Sequence, residues 1–320
     1  MKKLIIALSA LGAAFTATAK ADVSVSGSSN VAYVSTAGTG TNDEELLVGS
    51  TVAFSMSTTT ASGMGISAGM TMSQDYDTDG SAVVTGGQAL TFSTGGATIV
   101  VGDVEISDTT GSVGGVVNGP LDDASDLDTS VAGSFSDDDG LGVELTTAVG
   151  TASLNISYVS NDGANNFGVV NDSTSGADSA MSASISVPMS GYTVTLGVAD
   201  SDTGESSTGA SVSGAIGGGT VTVGYSNQTL IAAHADLTTA GDSEQVGATY
   251  SMSLDADTTI ALGYISRKDA DSESDTKTEL SVERALGGGA TVYLDLVNLT
   301  GDTAANADGT AIAFGTSVSF

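Results

Sequence analysis

Three aspartates at every second position, in Asp75-Tyr76-Asp77-Thr78-Asp79-Gly80, have the spacing in this chain best suited to holding an ion. Alternate carboxylates that converge over a glycine turn are how calcium loops grip a hard cation. A helix-loop-helix calcium site would carry a bidentate glutamate at its twelfth position, and that position is Gly86. Two readings of Asp75, Asp77 and Asp79 stay open: a solvated acidic loop, or a weak calcium site of the extracellular kind. The run Asp137-Asp138-Asp139-Gly140 reads as a solvated turn. His234 is the one histidine, cysteine is absent, and no serine stands in a nucleophile context, so neither a catalytic triad nor a zinc site can be assembled. Carboxylates are so numerous that proximity in sequence singles out no acid-base pair. No enzymatic activity and no required cofactor are expected, with calcium the one candidate ligand.

The charge balance narrows the partners further. Lys2 and Lys3, an apolar stretch from Leu4 to Ala17, and the small-residue site Ala19-Lys20-Ala21 read as a secretory signal over residues 1–21, so that the exported chain starts at Asp22. Its removal takes three lysines and no acid, leaving 38 Asp+Glu against four bases, 4 − 38 = −34. Those bases are Arg267, Lys268, Lys277 and Arg284, and none occurs between Ala21 and Ser266. Binding to nucleic acid through a basic patch is excluded, and the partner ions are expected to be cations. No later segment approaches the roughly 18 consecutive apolar residues of a membrane helix. The absence of cysteine means that an exported chain of this size holds together without disulfides.

The elements that must position these residues are short strands. Apolar and small polar residues alternate in Ala152-Ser153-Leu154-Asn155-Ile156-Ser157-Tyr158, giving one greasy face and one hydroxyl face. The same pattern sets Met64, Ile66, Ala68, Met70 and Met72 against Gly65, Ser67, Gly69, Thr71 and Ser73. No helical segment backs the apolar faces, so they are expected to point outward to lipid. Sixteen strands are predicted, near 22–36, 45–60, 64–75, 87–94, 97–104, 139–148, 151–160 and 178–187, then 191–200, 204–215, 219–229, 243–253, 258–267, 276–286, 289–299 and 309–320. An even number closes an antiparallel transmembrane barrel with both termini on one rim. Tight glycine-rich turns alternate with long acidic loops, and the loop over 105–138, third on its rim, far exceeds ordinary loop lengths. A sequence of this kind is predicted to be all-β, a 16-stranded antiparallel transmembrane β-barrel over residues 22–320.

At this point the residues resemble a family. Asp22-Val23-Ser24-Val25-Ser26-Gly27 looks like the first strand, Thr98-Ile99-Val100-Val101-Gly102-Asp103-Val104 like the strand feeding the constriction loop, and Val318-Ser319-Phe320 like the C-terminal aromatic signature of the trimeric general porins of Gram-negative bacteria, most closely the alphaproteobacterial ones. The resemblance implies a cell outer-membrane location, a homotrimer among outer-membrane lipid, and a water-filled channel for passive diffusion of small hydrophilic solutes and ions. It implies that the outer-membrane assembly machinery reads Phe320 and that the third loop folds into the lumen. The matching constriction acids are Asp103, Glu105, Asp108, Asp122, Asp123, Asp126 and Asp128. This chain departs from the family, which sets bases on the wall opposite the loop, in having none in strands one to twelve. Arg267 is expected toward the lumen near the loop-side rim, and Arg284 on the apolar face near the turn-side rim, where it could snorkel. The wall facing the loop is thus expected to offer no Lys or Arg, and the channel to favour cations. The alternatives are a secreted acidic calcium-binding β-rich adhesin or surface protein and a soluble binding sandwich. The repeats of a calcium-binding solenoid are absent from the sequence.

Overall fold

In the computed structural model the chain folds as one closed sheet. Residues 22–38, 43–74, 83–105, 113, 115–117, 139–160, 179–202, 204, 206–230, 241–268, 274–301 and 309–320 are described. The strands are β1 (Asp22–Gly38), β2 (Asp43–Thr59), β3 (Gly65–Gln74), β4 (Val83–Thr94), β5 (Ala97–Glu105), β6 (Asp139–Val149), β7 (Ala152–Ser160) and β8 (Ser179–Met189). They continue as β9 (Tyr192–Ser201), β10 (Ser206–Ile216), β11 (Gly219–Leu230), β12 (Gly241–Ser253), β13 (Thr258–Lys268), β14 (Ser274–Gly287), β15 (Ala290–Gly301) and β16 (Gly309–Ser319). Each pairs antiparallel with its sequence neighbours, and β1 pairs β16 to close the ring. Closure is what makes the sheet viable in lipid, where every unpaired backbone group of an open edge would cost several kcal/mol. The predicted strand count and order are those observed.

Alternation decides the two faces. Tyr158, Met181, Leu196, Val198, Tyr225, Val246, Tyr264 and Phe314 are exposed on the outside. Ser157, Ser182, Ser211, Ser226, Gln228, Ser243 and Gln245, their neighbours one row over, are buried inside. The apolar face is therefore the outer one, as expected for strands that meet lipid. Among the described residues no helix is long and apolar enough to cross a membrane.

One rim carries the short turns. Ser190 (φ 52°) and Gly191 (φ 91°) make the β8–β9 turn with both central residues left-handed, the geometry whose twist suits a two-residue hairpin. Both ends of the barrel sheet reach this rim. There Phe320 N–H donates to Gly27 C=O at 2.9 Å, and Gly27 N–H returns the bond to Phe320 C=O at 3.0 Å. The Phe320 ring, 77% exposed, lies over Gly27, where an added Cβ would sit 2.6 Å from ring Cζ. Arg284 is at the same rim on the outer face, its Nη1 within 3.5 Å of Asp255 Oδ2 and donating to Thr258 Oγ1 at 2.8 Å. Asp255, in the β12–β13 turn, is held below the usual carboxylate range by the Asp257 N–H it accepts, then by Thr258 and Arg284.

Candidate functional site in the barrel lumen

The polar interior carries two apolar wall patches among the described residues, one of them formed by Val104 of β5, Val159 of β7, Ala180 of β8 and Ala199 of β9. Ala32 and Val34 of β1, Leu47 of β2, Tyr293 and Val297 of β15, and Ala311 and Ala313 of β16 form the other, a buried cluster on the inner wall. Tyr293 reaches over Gly315 of β16, and its hydroxyl donates to Asn30 Oδ1 of β1 at 2.8 Å. Such a patch exposed to water would be unfavourable, and Val117 of the third loop packs on it.

Two more contacts trace the loop. Val113 is buried against Ile265 of β13, with its methyls over Gly224 of β11, where an added Cβ would lie 2.8 Å from Cγ2. Val116 N–H donates to Glu279 Oε2 of β14 at 2.6 Å. The loop leaves the barrel at Glu105 of β5, and β13 is eight strands away in a ring of sixteen. Val113, Val116 and Val117 therefore lie across the lumen against the far wall of a barrel ~30 Å in diameter, from the strand spacing and tilt. This part of the loop is in the lumen, as the resemblance implies.

The wall under the loop carries charge, which corrects one expectation. Lys277 of β14, 5% exposed, lies on the inner row beside Glu279, 1% exposed, with Nζ 2.9 Å from Oε1. Arg267 of β13 is on the inner row as expected, 3.7 Å from Asp275 Oδ2. The wall facing the third loop thus does contain bases. Strands one to twelve are free of them, but ring closure makes the late strands β13 and β14 the wall opposite β5, so the base-free strands do not make up the wall that faces the loop. Each of these bases is matched by a carboxylate on its own strand or the next. Asp295 of β15, with no exposed surface, is also beneath this region.

The wall of β6 to β12 is different. Beside Val159, Ala180, Ala199, Gln228 and Gln245, its inner rows carry hydroxyls that satisfy one another: Ser157 with Ser182 at 2.6 Å, Ser186 with Thr195 at 2.9 Å, and Thr222 donating to Ser213 at 2.9 Å. Glu144 of β6 interrupts them, accepting from Asn155 Nδ2 at 2.7 Å and Thr146 Oγ1 at 3.2 Å. The loop's apolar seat and these wall carboxylates were missed in the sequence, although strict alternation places each of them on the inner row.

Of the acids expected at the constriction, Asp103 is paired with Leu141 and Glu105 with Asp139, in the row of Ile99 and Val101. Asp108, Asp122, Asp123, Asp126 and Asp128 lie outside the described residues, as do Asp75, Asp77, Asp79, His234 and residues 1–21. Among the described residues no group of three or more His, Asp or Glu is placed to hold a metal ion.

A closed barrel with an apolar exterior, a hydrophilic interior and a loop across its lumen defines a transmembrane channel. The profile of the Gram-negative porin family matches residues 7–304, and the chain belongs to that family. It is an outer-membrane protein, a channel for passive diffusion and not an enzyme. The adhesin and sandwich alternatives are thereby set aside. Among solved structures, a porin refined at 1.8 Å resolution is similar with a TM-score of 0.69 at 18% identity, over 93% of this chain and 100% of that one. The anion-selective porin of Comamonas acidovorans is similar at 0.66 and 13% identity, over 94% and 100%. A triply substituted porin of Rh. blastica is similar at 0.61 and 19%, over 93% and 100%. No curated protein matches.

Proposed function

We propose that the channel favours cations and works as a homotrimer passing small hydrophilic solutes, with no required cofactor. The observation that carries this reading is the charge on the inner rows. Asp22, Glu45, Glu144, Asp275, Glu279, Glu283 and Asp295 stand there against Arg267 and Lys277, and both bases are already ion-paired. A permeant anion then meets no unneutralised base on the described wall, whereas a cation meets carboxylates in a confined space of lowered dielectric. The loop acids Asp108, Asp122, Asp123, Asp126 and Asp128 add to the same field in this reading. Selectivity does not follow from the fold, since a similar barrel is an anion-selective porin. Trimer formation rests on the resemblance to trimeric general porins.

The test is the zero-current potential of purified protein in planar bilayers under a KCl gradient. Cations are expected to be favoured, less so after Asp→Asn changes at Asp122, Asp123 and Asp126. The preference should shrink with salt, because screening shortens from ~10 Å at 0.1 M to ~3 Å at 1 M. Anion preference at low salt would overturn the proposal.

A further inference from the structure

Five observations converge on one side chain. Glu144 is at the middle of β6, on the inner row between Gly142 and Thr146, with Val143 and Leu145 on the other face. It is half-buried and reaches the lumen, whereas Glu279 and Asp295 are covered on the wall where the loop docks. Its neighbours Asn155, Thr146 and Ser157 are neutral, and among the described residues no base pairs with it. Asn155 donates to Oε1 and to Thr146 Oγ1 at 3.1 Å, which fixes the carboxylate on one side. Finally, β6 is eight strands from β14 in the ring, so Glu144 is on the wall facing the one to which Val116 is fastened.

We infer that Glu144 is the wall-side selectivity residue of the pore, a fixed carboxylate that offers a passing monovalent cation or organic ammonium a station between the docked loop and the β6–β10 wall. This rests on the reading of the channel as cation-favouring. Val113, Val116 and Val117 rest on β11 to β16, β1 and β2, whereas the described inner rows of β6–β10 carry serine, threonine, alanine and valine and this one mid-strand charge. Asn155 is a positioning residue: it holds Oε1, and among the described residues no base competes for the carboxylate. A charge so held costs a cation no reorganisation of the wall as it arrives.

Glu144→Gln keeps the shape and removes the charge. Its K⁺:Cl⁻ permeability ratio at 0.1 M KCl should fall about fourfold, because one unit charge ~6 Å from the ion path at a water-like dielectric, screened over ~10 Å, raises the cation and lowers the anion by about twofold each. Glu144→Lys should carry the ratio further toward anions, and Glu144→Asp should hold it near wild type. The differences should fade at 1 M KCl, where conductance close to wild type also reports a folded pore. A wild-type ratio in both Glu144→Gln and Glu144→Lys would overturn the assignment while leaving the cation reading intact. A wild type without cation preference, combined with an anion-directed shift in both variants, would overturn the functional reading and keep Glu144 as the selectivity residue.

Discussion

Glu279 is the point where the third loop is fastened to the barrel, and replacing it with alanine should loosen the loop without opening the sheet. The carboxylate makes two contacts: Val116 N–H at 2.6 Å and Lys277 Nζ at 2.9 Å. A hydrogen bond to a charged group contributes ~1.5–3 kcal/mol, and its loss is opposed by what still holds the loop, chiefly Val113, whose full burial is worth ~1.5–3 kcal/mol. The loop therefore stays mostly docked. A loss of ~2 kcal/mol nonetheless raises the undocked population ~30-fold, since each ~1.4 kcal/mol is a factor of ten. Lys277, deprived of the carboxylate beside it, pushes the same way, because undocking admits water to a charge with 5% exposure. Single-channel recording reads this directly. The wild type should show a steady open level, and Glu279→Ala should add brief excursions from it, with total occupancy up by about that factor. Lys277→Met combined with Glu279→Ala removes the buried ammonium but still leaves the loop N–H without its acceptor, so excursions should persist. Quiet, wild-type currents from both variants, with heat-modifiable electrophoretic mobility showing folded barrels, would refute the fastening argument.

Two further outcomes are expected. Deleting Phe320 should leave export intact and lower the yield of folded barrel, and Gly27→Val should do the same, because its side chain would occupy the space of the Phe320 ring; wild-type amounts of both in the outer membrane would count against an assembly role for this contact. Millimolar calcium should raise the melting temperature of the wild type more than that of a variant with Asp75, Asp77 and Asp79 changed to Asn, and equal shifts would leave the solvated-loop reading of these residues standing.

Much of the barrel was legible before any coordinates. A period of two places Ile156 and Tyr158 on one face and Asn155 and Ser157 on the other whatever the neighbours are, because successive Cβ atoms of a strand point to opposite sides. Glycine-rich doublets such as Ser190-Gly191 mark the turn-side rim, since few residues accept a left-handed backbone. Together these determine the strand number, the antiparallel order, and which face meets lipid. The length of the segment after Glu105 likewise marked a functional loop.

What the sequence could not show is which residues distant in the chain share a wall. Val113 meets Gly224 and Ile265, and Val116 meets Glu279 across 163 positions, contacts that depend on ring closure and on the path of a loop with no periodicity to read. The same closure turned the base-free stretch of strands one to twelve into a misleading signal, because β13 and β14 face β5 and carry Arg267 and Lys277. Local alternation is set by backbone geometry residue by residue and is written in the sequence. The pairing of a charge with its partner, and of a loop with its seat, is set by distances through the lumen, and only the closed barrel decides those.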